Sequence, residues 1–476
     1  MLRVPEPRRW LWLGAALSLF ALHSEYDLPV AAWLAPIFLV RYVRLSAPRT
    51  GVVWIGIVSL LAWLLWLCSS ALIVSGTAVL SFAALAGFLT VPYLLDRLLA
   101  RPLAAWSGVA ASLVFPLGRA ACEYLFTVAV GFGNFGSLAA TQHGNLPLLQ
   151  IASITGSYGV SFLIAWLAST VNHAWDAGFA WPASRRVGVV YAVTLAVVMA
   201  GGAIRLGWAP ADGDTVRVAG LSPSRAALHE RRRTGDDAVV NDDLVARTDQ
   251  EAQAGARILV WSESAARVTA ATRGAMVERV AAIARRRGVY VDMALEMRGE
   301  RTTNEAVLVA PDGRVAWTYQ KSHPTPAEAA AGIAPGSGEV PTVDTGAARL
   351  ATVICYDLDF PSLVRTADAD LLLVPANDWP GIIAWHSQKA VVRAVENGVS
   401  ILRQSSHGLA TALDPLGRTV AHASFYDGDV HTLVAYLPVR GVTTIYRRVG
   451  DLFAWLCVAG LAALAAIARG RRAHPS

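Results

Sequence analysis

The sequence predicts a polytopic α-helical membrane bundle of about eight spans carrying a water-soluble α/β domain. Three observations predict it. The 476 residues are 54% hydrophobic and only 16% charged, with a mean hydropathy of +0.43, whereas a soluble protein has about a quarter of its residues charged. Charge is also uneven: 50–184 holds very few ionisable groups, and 212–370 holds most of the acids and bases. Finally, 216–438 alternates short β-branched runs with helical patterns, as an α/β domain does. The net charge of +6 does not imply nucleic acid, because many arginines flank apolar spans.

The apolar segments are 10–22, 29–43, 51–73, 76–98, 106–126, 157–175, 187–205 and 450–468. A crossing takes about 20 apolar residues, so the first two are short and suit a tilted hairpin. Arg3, Arg8 and Arg9 before the first segment resemble a signal peptide, but no small-x-small cleavage site follows, so the segment is expected to be retained. Arginines recur at 41, 44 and 49, at 97 and 101, at 185 and 186, and at 469, 471 and 472. The alternate loops 23–28, 74–75 and 127–156 lack Lys and Arg. The positive-inside rule then puts both termini in the cytoplasm and the insert after the seventh crossing outside it. This divides the chain into a bundle (1–206), an extracytoplasmic domain (207–449) and a last span with a cytoplasmic tail (450–476).

Within the fifth segment Arg119 and Glu123 share a helical face. They can form an ion pair inside the bundle or contact a lipid head group. The glycine-rich run 131–137 suits a loop at the outer membrane surface. Cys68, Cys122 and Cys457 fall in apolar spans as small buried hydrophobes.

Strands are expected at 216–220, 258–262, 289–296, 305–310, 315–320, 349–354, 371–375, 400–404, 408–413 and 432–437, and amphipathic helices at 238–254, 272–287 and 384–397. Asp312-Gly313 and Asp414-Pro415-Leu416-Gly417 suit turns between strands. About 240 residues can bury a core of their own.

Cys355 is the one thiol of this insert, at the end of the apolar run 350–354. Glu263 ends the run 258–262, and Lys321 follows 315–320. Each alone is explained by a strand meeting solvent or by an inert buried thiol. Together they put a carboxylate, an amine and a thiol at strand ends, where α/β folds bind ligands. A base and a cation can activate a thiol and stabilise the oxyanion it generates. No His/Cys/Asp cluster has metal-ligand spacing, and neither a metal nor a cofactor is expected.

Trp261-Ser262-Glu263, Tyr319-Gln320-Lys321-x-His323 and Ile354-Cys355-Tyr356-Asp357-x-Asp359-Phe360-Pro361 resemble the Glu-Lys-Cys signatures of the nitrilase superfamily. With the surrounding spans, the chain is similar to the apolipoprotein N-acyltransferase family. Further similar segments are Pro147-Leu148-Leu149-Gln150-Ile151-Ala152, Thr155-Gly156-x-Tyr158-Gly159-Val160-Ser161-Phe162, Thr303-Asn304-Glu305, Asn377-Asp378-Trp379, Trp385-His386, Arg393-Ala394-x-Glu396 and Asp414-Pro415-x-Gly417.

The resemblance implies a nitrilase-like α-β-β-α sandwich outside a bacterial inner membrane, acting as a monomer without nucleic acid. It implies a ping-pong N-acyltransferase. Glu263 is the base, Lys321 and a backbone N–H near Tyr356 hold the oxyanion, and Cys355 carries a thioester from a phospholipid donor to the amine of a diacylated lipoprotein. Glu328, Tyr356, Asp357, Asn304, Trp379, Trp385 and His386 are the supporting or substrate-binding candidates. The sequence departs from the family in three places. The residues after Lys321 run Ser322-His323-Pro324-Thr325-Pro326-Ala327-Glu328, Asp357 replaces the usual glutamate, and His407 stands where asparagine is general. Trp379, Trp385, Phe425 and Tyr426 are either ordinary core and rim aromatics or, as a group, a lipid-entry lip. The altered loop leaves open a membrane-bound nitrilase-type amidase or hydrolase, and the remaining alternative is a non-catalytic scaffold, against which the intact Glu263, Lys321 and Cys355 argue.

Overall fold

A computed structural model describes residues 6–22, 28–70, 76–208 and 213–473. Arg3, the loops 23–27 and 74–75 and the end of the third apolar segment at 71–73 lie outside the described residues. The chain divides into two compact units, Met1–Trp208 with Ile445–Ser476, and Ala209–Thr444.

In the first unit every apolar segment lies on helix: Glu6–Leu22, Pro29–Leu45, Pro48–Ser70, Gly76–Ala104, Gly108–Val130, Ser157–Asp176, Trp181–Trp208 and Leu452–Ala473. Five are long and apolar enough to cross a membrane, and a sixth span forms if the bent pair Leu146–Thr155 and Ser157–Asp176 counts as one. The first two helices have 17 residues each, short of a full crossing, as their sequence suggested.

The run after Val130 is the expected non-helical loop. It is irregular, but it is buried: Phe132, Asn134, Phe135, Ser137 and Leu138 are all inside the unit. Phe132 and Phe135 pack on each other at a ring-centroid distance of 5.1 Å and on Phe82 at 5.2 and 5.6 Å, and Phe135 also packs on Trp66 at 5.4 Å. Arg119 donates to Gly136 O at 2.6 Å, and Ser161 Oγ accepts from Leu138 N at 3.2 Å, so partners from neighbouring helices satisfy the non-helical backbone. Between the helical stretch Leu146–Thr155 and Ser157–Asp176 the chain bends by 120° at Gly156, which has φ +65°. A Cβ there would sit 2.7 Å from the Tyr446 ring, so only glycine fits. Arg119 Nε and Glu123 Oε2 are 3.6 Å apart inside the bundle. Cys122 and Cys457 are buried, whereas Cys68 is on an outward helix face, contrary to expectation.

The second unit is two stacked sheets. Its strands are β1 (Thr215–Ser222), β2 (Ile258–Trp261), β3 (Ala266–Thr269), β4 (Tyr290–Arg298), β5 (Thr303–Val309), β6 (Val315–Gln320), β7 (Thr342–Asp344), β8 (Arg349–Thr352), β9 (Leu371–Asn377), β10 (Ser400–Ser406), β11 (Leu409–Leu413), β12 (Thr419–Ser424) and β13 (His431–Pro438). One sheet runs β13-β1-β2-β4-β5-β6, with β3 beside β4, and the other runs β12-β11-β10-β9-β8-β7. The centres are parallel (β1-β2-β4 and β8-β9-β10), and antiparallel hairpins extend them. Val218, Val260, Leu308, Leu350, Leu373 and Leu402 are fully buried in the apolar layer between the sheets. Each such side chain contributes about 1.5–3 kcal/mol. Helices Ala238–Gln253 and Ala270–Arg287 pack on the first sheet, and Ile383–Asn397 packs on the second, giving the expected α-β-β-α sandwich.

Every expected strand is present within a few residues. The unexpected strands β3, β7 and β12 are short or polar. Helix Arg225–Thr234 was also missed, because RAALHERRRT has few apolar residues to set a period.

Candidate active site

Glu263 lies two residues past β2, Lys321 directly follows β6, and Cys355 follows β8 after two residues. The first two come from one sheet and the third from the other, so stacking the sheets is what brings them together. Backbone bonds fix each: Glu263 N donates to Ala376 O at 3.2 Å, and Lys321 N donates to Asn304 O at 2.9 Å.

Lys321 Nζ donates to Glu263 Oε1 at 2.7 Å and to Glu328 Oε2 at 2.6 Å. Asn304 Nδ2 donates to the same Glu263 oxygen at 2.7 Å. Cys355 reaches the same strand end from the other sheet: its Sγ lies 3.8 Å from Asn377 O, next to Ala376, whose carbonyl accepts from Glu263 N. Glu263, Lys321 and Cys355 are each at most 5% exposed. The structure thus brings together the three residues that the sequence singled out, and adds Glu328 and Asn304 to them.

Glu328 reaches the lysine because Thr325-Pro326-Ala327-Glu328 starts a short helix. Thr325 Oγ1 accepts from Glu328 N at 3.2 Å, and Glu328 Oε2 accepts from Thr325 N at 2.7 Å, a reciprocal capping box with Pro at the first helical position. The cap holds the carboxylate on the lysine side of the loop.

Burial pushes the Glu263 carboxyl up, with Lys321 pulling against it. Burial works against the Lys321 charge, but Glu263 and Glu328 outweigh it and hold the ammonium well above its ordinary value. Burial, then the Glu263 charge, raises the Cys355 thiol well above the ordinary range. The resting site therefore holds a thiol beside a carboxylate–ammonium pair, not a free thiolate.

Cys355 has φ +47°, Ser264 next to Glu263 has φ +51°, and His407 has φ +53°. Non-glycine residues adopt this region at a cost of about 1–3 kcal/mol, and such strain gathers at functional sites. At Cys355 it makes the turn that leaves β8 and opens the short 3-10 helix Cys355–Asp359.

Asp357 is fully buried. It accepts from Tyr319 Oη at 2.8 Å, His323 N at 2.7 Å, Ser322 N at 3.3 Å and Ile354 N at 3.2 Å. Tyr356 is also buried, its ring edge-on to Phe360 at 5.2 Å, and Phe360 stacks on His323 at 3.6 Å.

A second cluster lies behind the sulfur. Asp378 accepts from Arg403 at 2.6 Å and from Ser405 Oγ at 2.8 Å, and is 2.9 Å from His386 Nδ1. Burial acts to raise its carboxyl, but Arg403 and then His386 hold it down at about 2. Cys355, Asp378 and His386 offer ligand atoms within 4.8 Å of one another, a grouping that sequence spacing did not reveal. The Asp378 charge is already matched by Arg403, so the donor set fits a structural ion pair better than a cation. Sequence reasoning missed Arg403. A charged residue inside the apolar strand 400–404 was the available signal.

Of the two readings of the aromatics, core and rim residues fit the structure. Trp385 and Phe425 are buried at 2% and 5% exposure, Phe425 packing between His407 and His431, and only Trp379 and Tyr426 reach the surface. His407 Nδ1 is 3.1 Å from Asn377 Oδ1.

Comparison with known proteins supplies the relatives of this arrangement. The carbon-nitrogen hydrolase pattern matches residues 245–442. The apolipoprotein N-acyltransferase N-terminal domain pattern matches 14–170. The apolipoprotein N-acyltransferase of Geobacter metallireducens is 31% identical over 77% of this chain and 75% of its own length. That of Bradyrhizobium diazoefficiens is 28% identical over 69% and 68%. An amidase from Nesterenkonia sp. superposes with a TM-score of 0.43 at 24% identity, covering 51% of this chain and 95% of that one. With a helical part and a sandwich part that both match, and a relative at 31% identity along three quarters of each chain, the protein belongs to the apolipoprotein N-acyltransferase family.

Proposed function

We propose that this bacterial membrane acyltransferase moves an acyl chain from a phospholipid to the N-terminal amine of a diacylglyceryl-cysteine lipoprotein. The carrying observation is the Lys321 ammonium held between Glu263 and Glu328, with the strained Cys355 at the neighbouring strand end that also binds Glu263 N.

In the first half-reaction Glu263 takes the thiol proton as Cys355 Sγ bonds to the ester carbonyl carbon. The oxyanion is met by Lys321 and by a backbone N–H at the Tyr356 turn. Collapse expels the lysophospholipid alkoxide, which takes the proton from Glu263, and leaves a thioester. In the second half-reaction the free amine attacks the thioester and gives a proton to Glu263. The C–S bond breaks, and Glu263 returns the proton to the sulfur. Asn304 steadies the carboxylate, and Asp357 joins the cysteine turn to the lysine loop.

The arginine pattern supports an orientation with both termini cytoplasmic and the sandwich outside, where lipoprotein amines would be met. The chain divisions 1–206, 207–449 and 450–476 follow from that reading, and the protein is taken to work as a monomer. The loop after Lys321 departs from its relatives in sequence, yet Glu328 still reaches the ammonium, so no observation favours hydrolysis over transfer. The test is expression in cells depleted of their own acyltransferase. Restored triacylation of lipoproteins is expected from the wild type and not from Cys355→Ala. Free fatty acid with no triacylated product would overturn transfer in favour of hydrolysis.

A further inference from the structure

A cavity of about 480 Å³ opens in the helical unit, lined by Arg44, Asp96, Arg97, Arg101, His173 and Asp176 among others. That is within the usual range for a small-molecule site, about 300–1,000 Å³. Its charges divide into two groups. Arg44 binds both Asp96 oxygens at 2.8 Å and Asp176 at 3.0 Å, and Arg41 takes the other Asp176 oxygen at 2.5 Å. Both carboxylates are therefore occupied. Arg97 and Arg101, one turn apart on Gly76–Ala104, form no ion pair among the described residues. Arg97 Nη2 donates to Ser46 O at 3.3 Å, while its Nε is buried and makes no hydrogen bond among the described residues.

A buried guanidinium nitrogen without an acceptor is costly unless a ligand supplies one. The required ligand is an anion with several acceptor oxygens, which a phosphate offers in the geometry that arginine favours. More positive charge reaches the same rim. Arg471 of the last helix lies 5.6 Å from the ring of Trp106, two residues past Ala104, which lines the cavity. Basic pockets between membrane helices hold the head groups of anionic lipids.

We propose that Arg97 and Arg101 form a binding site for the phosphate of an anionic phospholipid, separate from the residues that do the acyl transfer. On the orientation above, this lipid belongs to the cytoplasmic leaflet. Its role is to neutralise the two arginines and hold Gly76–Ala104 against Pro29–Leu45 and Ser157–Asp176, whose residues line the same cavity.

The test is native mass spectrometry of full-length protein in detergent, titrated with phosphatidylglycerol, with phosphatidylcholine, or with inorganic phosphate. Wild type is expected to retain one phosphatidylglycerol far more tightly than phosphatidylcholine, with no competition from millimolar phosphate. Arg97→Gln/Arg101→Gln is expected to weaken that binding by on the order of tenfold or more, and Arg97→Lys/Arg101→Lys to keep most of it. Equal retention of the two lipids by the wild type overturns the site, even where the double variant fails to fold. Retention unchanged in the glutamine variant does so too, and displacement by inorganic phosphate assigns the arginines to a free anion and overturns the lipid. Acyl transfer by purified enzyme reports separately on the catalytic reading, because neither arginine belongs to that machinery.

Discussion

Asp357 Oδ1 accepts the backbone N–H of His323 at 2.7 Å, which locks the turn carrying the nucleophile to the loop carrying the lysine. The same carboxylate takes the Tyr319 hydroxyl and the Ile354 N–H, so a fully buried side chain sets the spacing of Lys321 and Cys355. Asp357→Ala leaves these donors unpaired. It is expected to cost about 3–5 kcal/mol of stability and to abolish activity. Thermal unfolding followed by fluorescence measures the first and lipopeptide acylation the second. A variant of wild-type stability would contradict the clamp.

Glu328 is partly exposed and sits in a short capped helix, so its removal leaves the fold largely intact. Glu328→Gln takes away one of the two carboxylates that hold the lysine charge. A drop in kcat of about 10–100-fold is expected, with a stability change within about 1 kcal/mol. Steady-state kinetics and a melting curve on the same preparation check both.

The Cys355 thiol is held protonated at neutral pH by burial and by the Glu263 charge, so its reactivity depends on Glu263 as base. Glu263→Gln is expected to slow alkylation of Cys355 by iodoacetamide by on the order of 10²-fold. In the wild type the acid limb of the rate profile falls above the ordinary glutamate range, because burial raises the Glu263 carboxyl and the base is lost as pH drops. Rates of adduct formation from pH 4 to 9 measure it. A rate indifferent to Glu263 would remove its assigned role.

Asp292 lies between the sheets, accepting from Thr352 Oγ1 at 2.9 Å and Trp317 Nε1 at 3.3 Å. Burial pushes its carboxyl up to about 7. The unfolded chain ionises it near the ordinary value of about 4. Stability from this group is therefore full below about pH 4, falls as pH rises, and is lost above about 7, a range of at most on the order of 4 kcal/mol. Asp292→Asn is expected to raise the melting temperature at pH 8 and to change it little near pH 4. Melting curves at the two pH values decide it.

The sandwich was legible because its strands are apolar runs of the right length, and the three central side chains were legible because each follows such a run. The partners of those side chains were harder to see. Arg403 and Asp378 pair across 25 residues, and Cys355 comes to the strand end that holds Glu263 only once the two sheets stack. Glu328 could have been placed from Thr325-Pro326-Ala327-Glu328, a capping-box pattern readable in the sequence. The loop 131–137 was legible from its glycines, but its burial was not, because glycine, asparagine and serine carry no apolar pattern. Here Arg119 and Ser161 from neighbouring helices satisfy the backbone, and Phe132 and Phe135 supply the apolar surface.

The central claim is a covalent acyl group on one sulfur, and intact-protein mass spectrometry tests it most directly. Purified enzyme incubated with a phospholipid of defined chain length should gain the mass of one acyl chain. The gain should map to Cys355, disappear with hydroxylamine or a diacylated lipopeptide, and be absent from Cys355→Ala. Turnover of lipopeptide with no such adduct on Cys355, or with the adduct on another residue, would contradict the account.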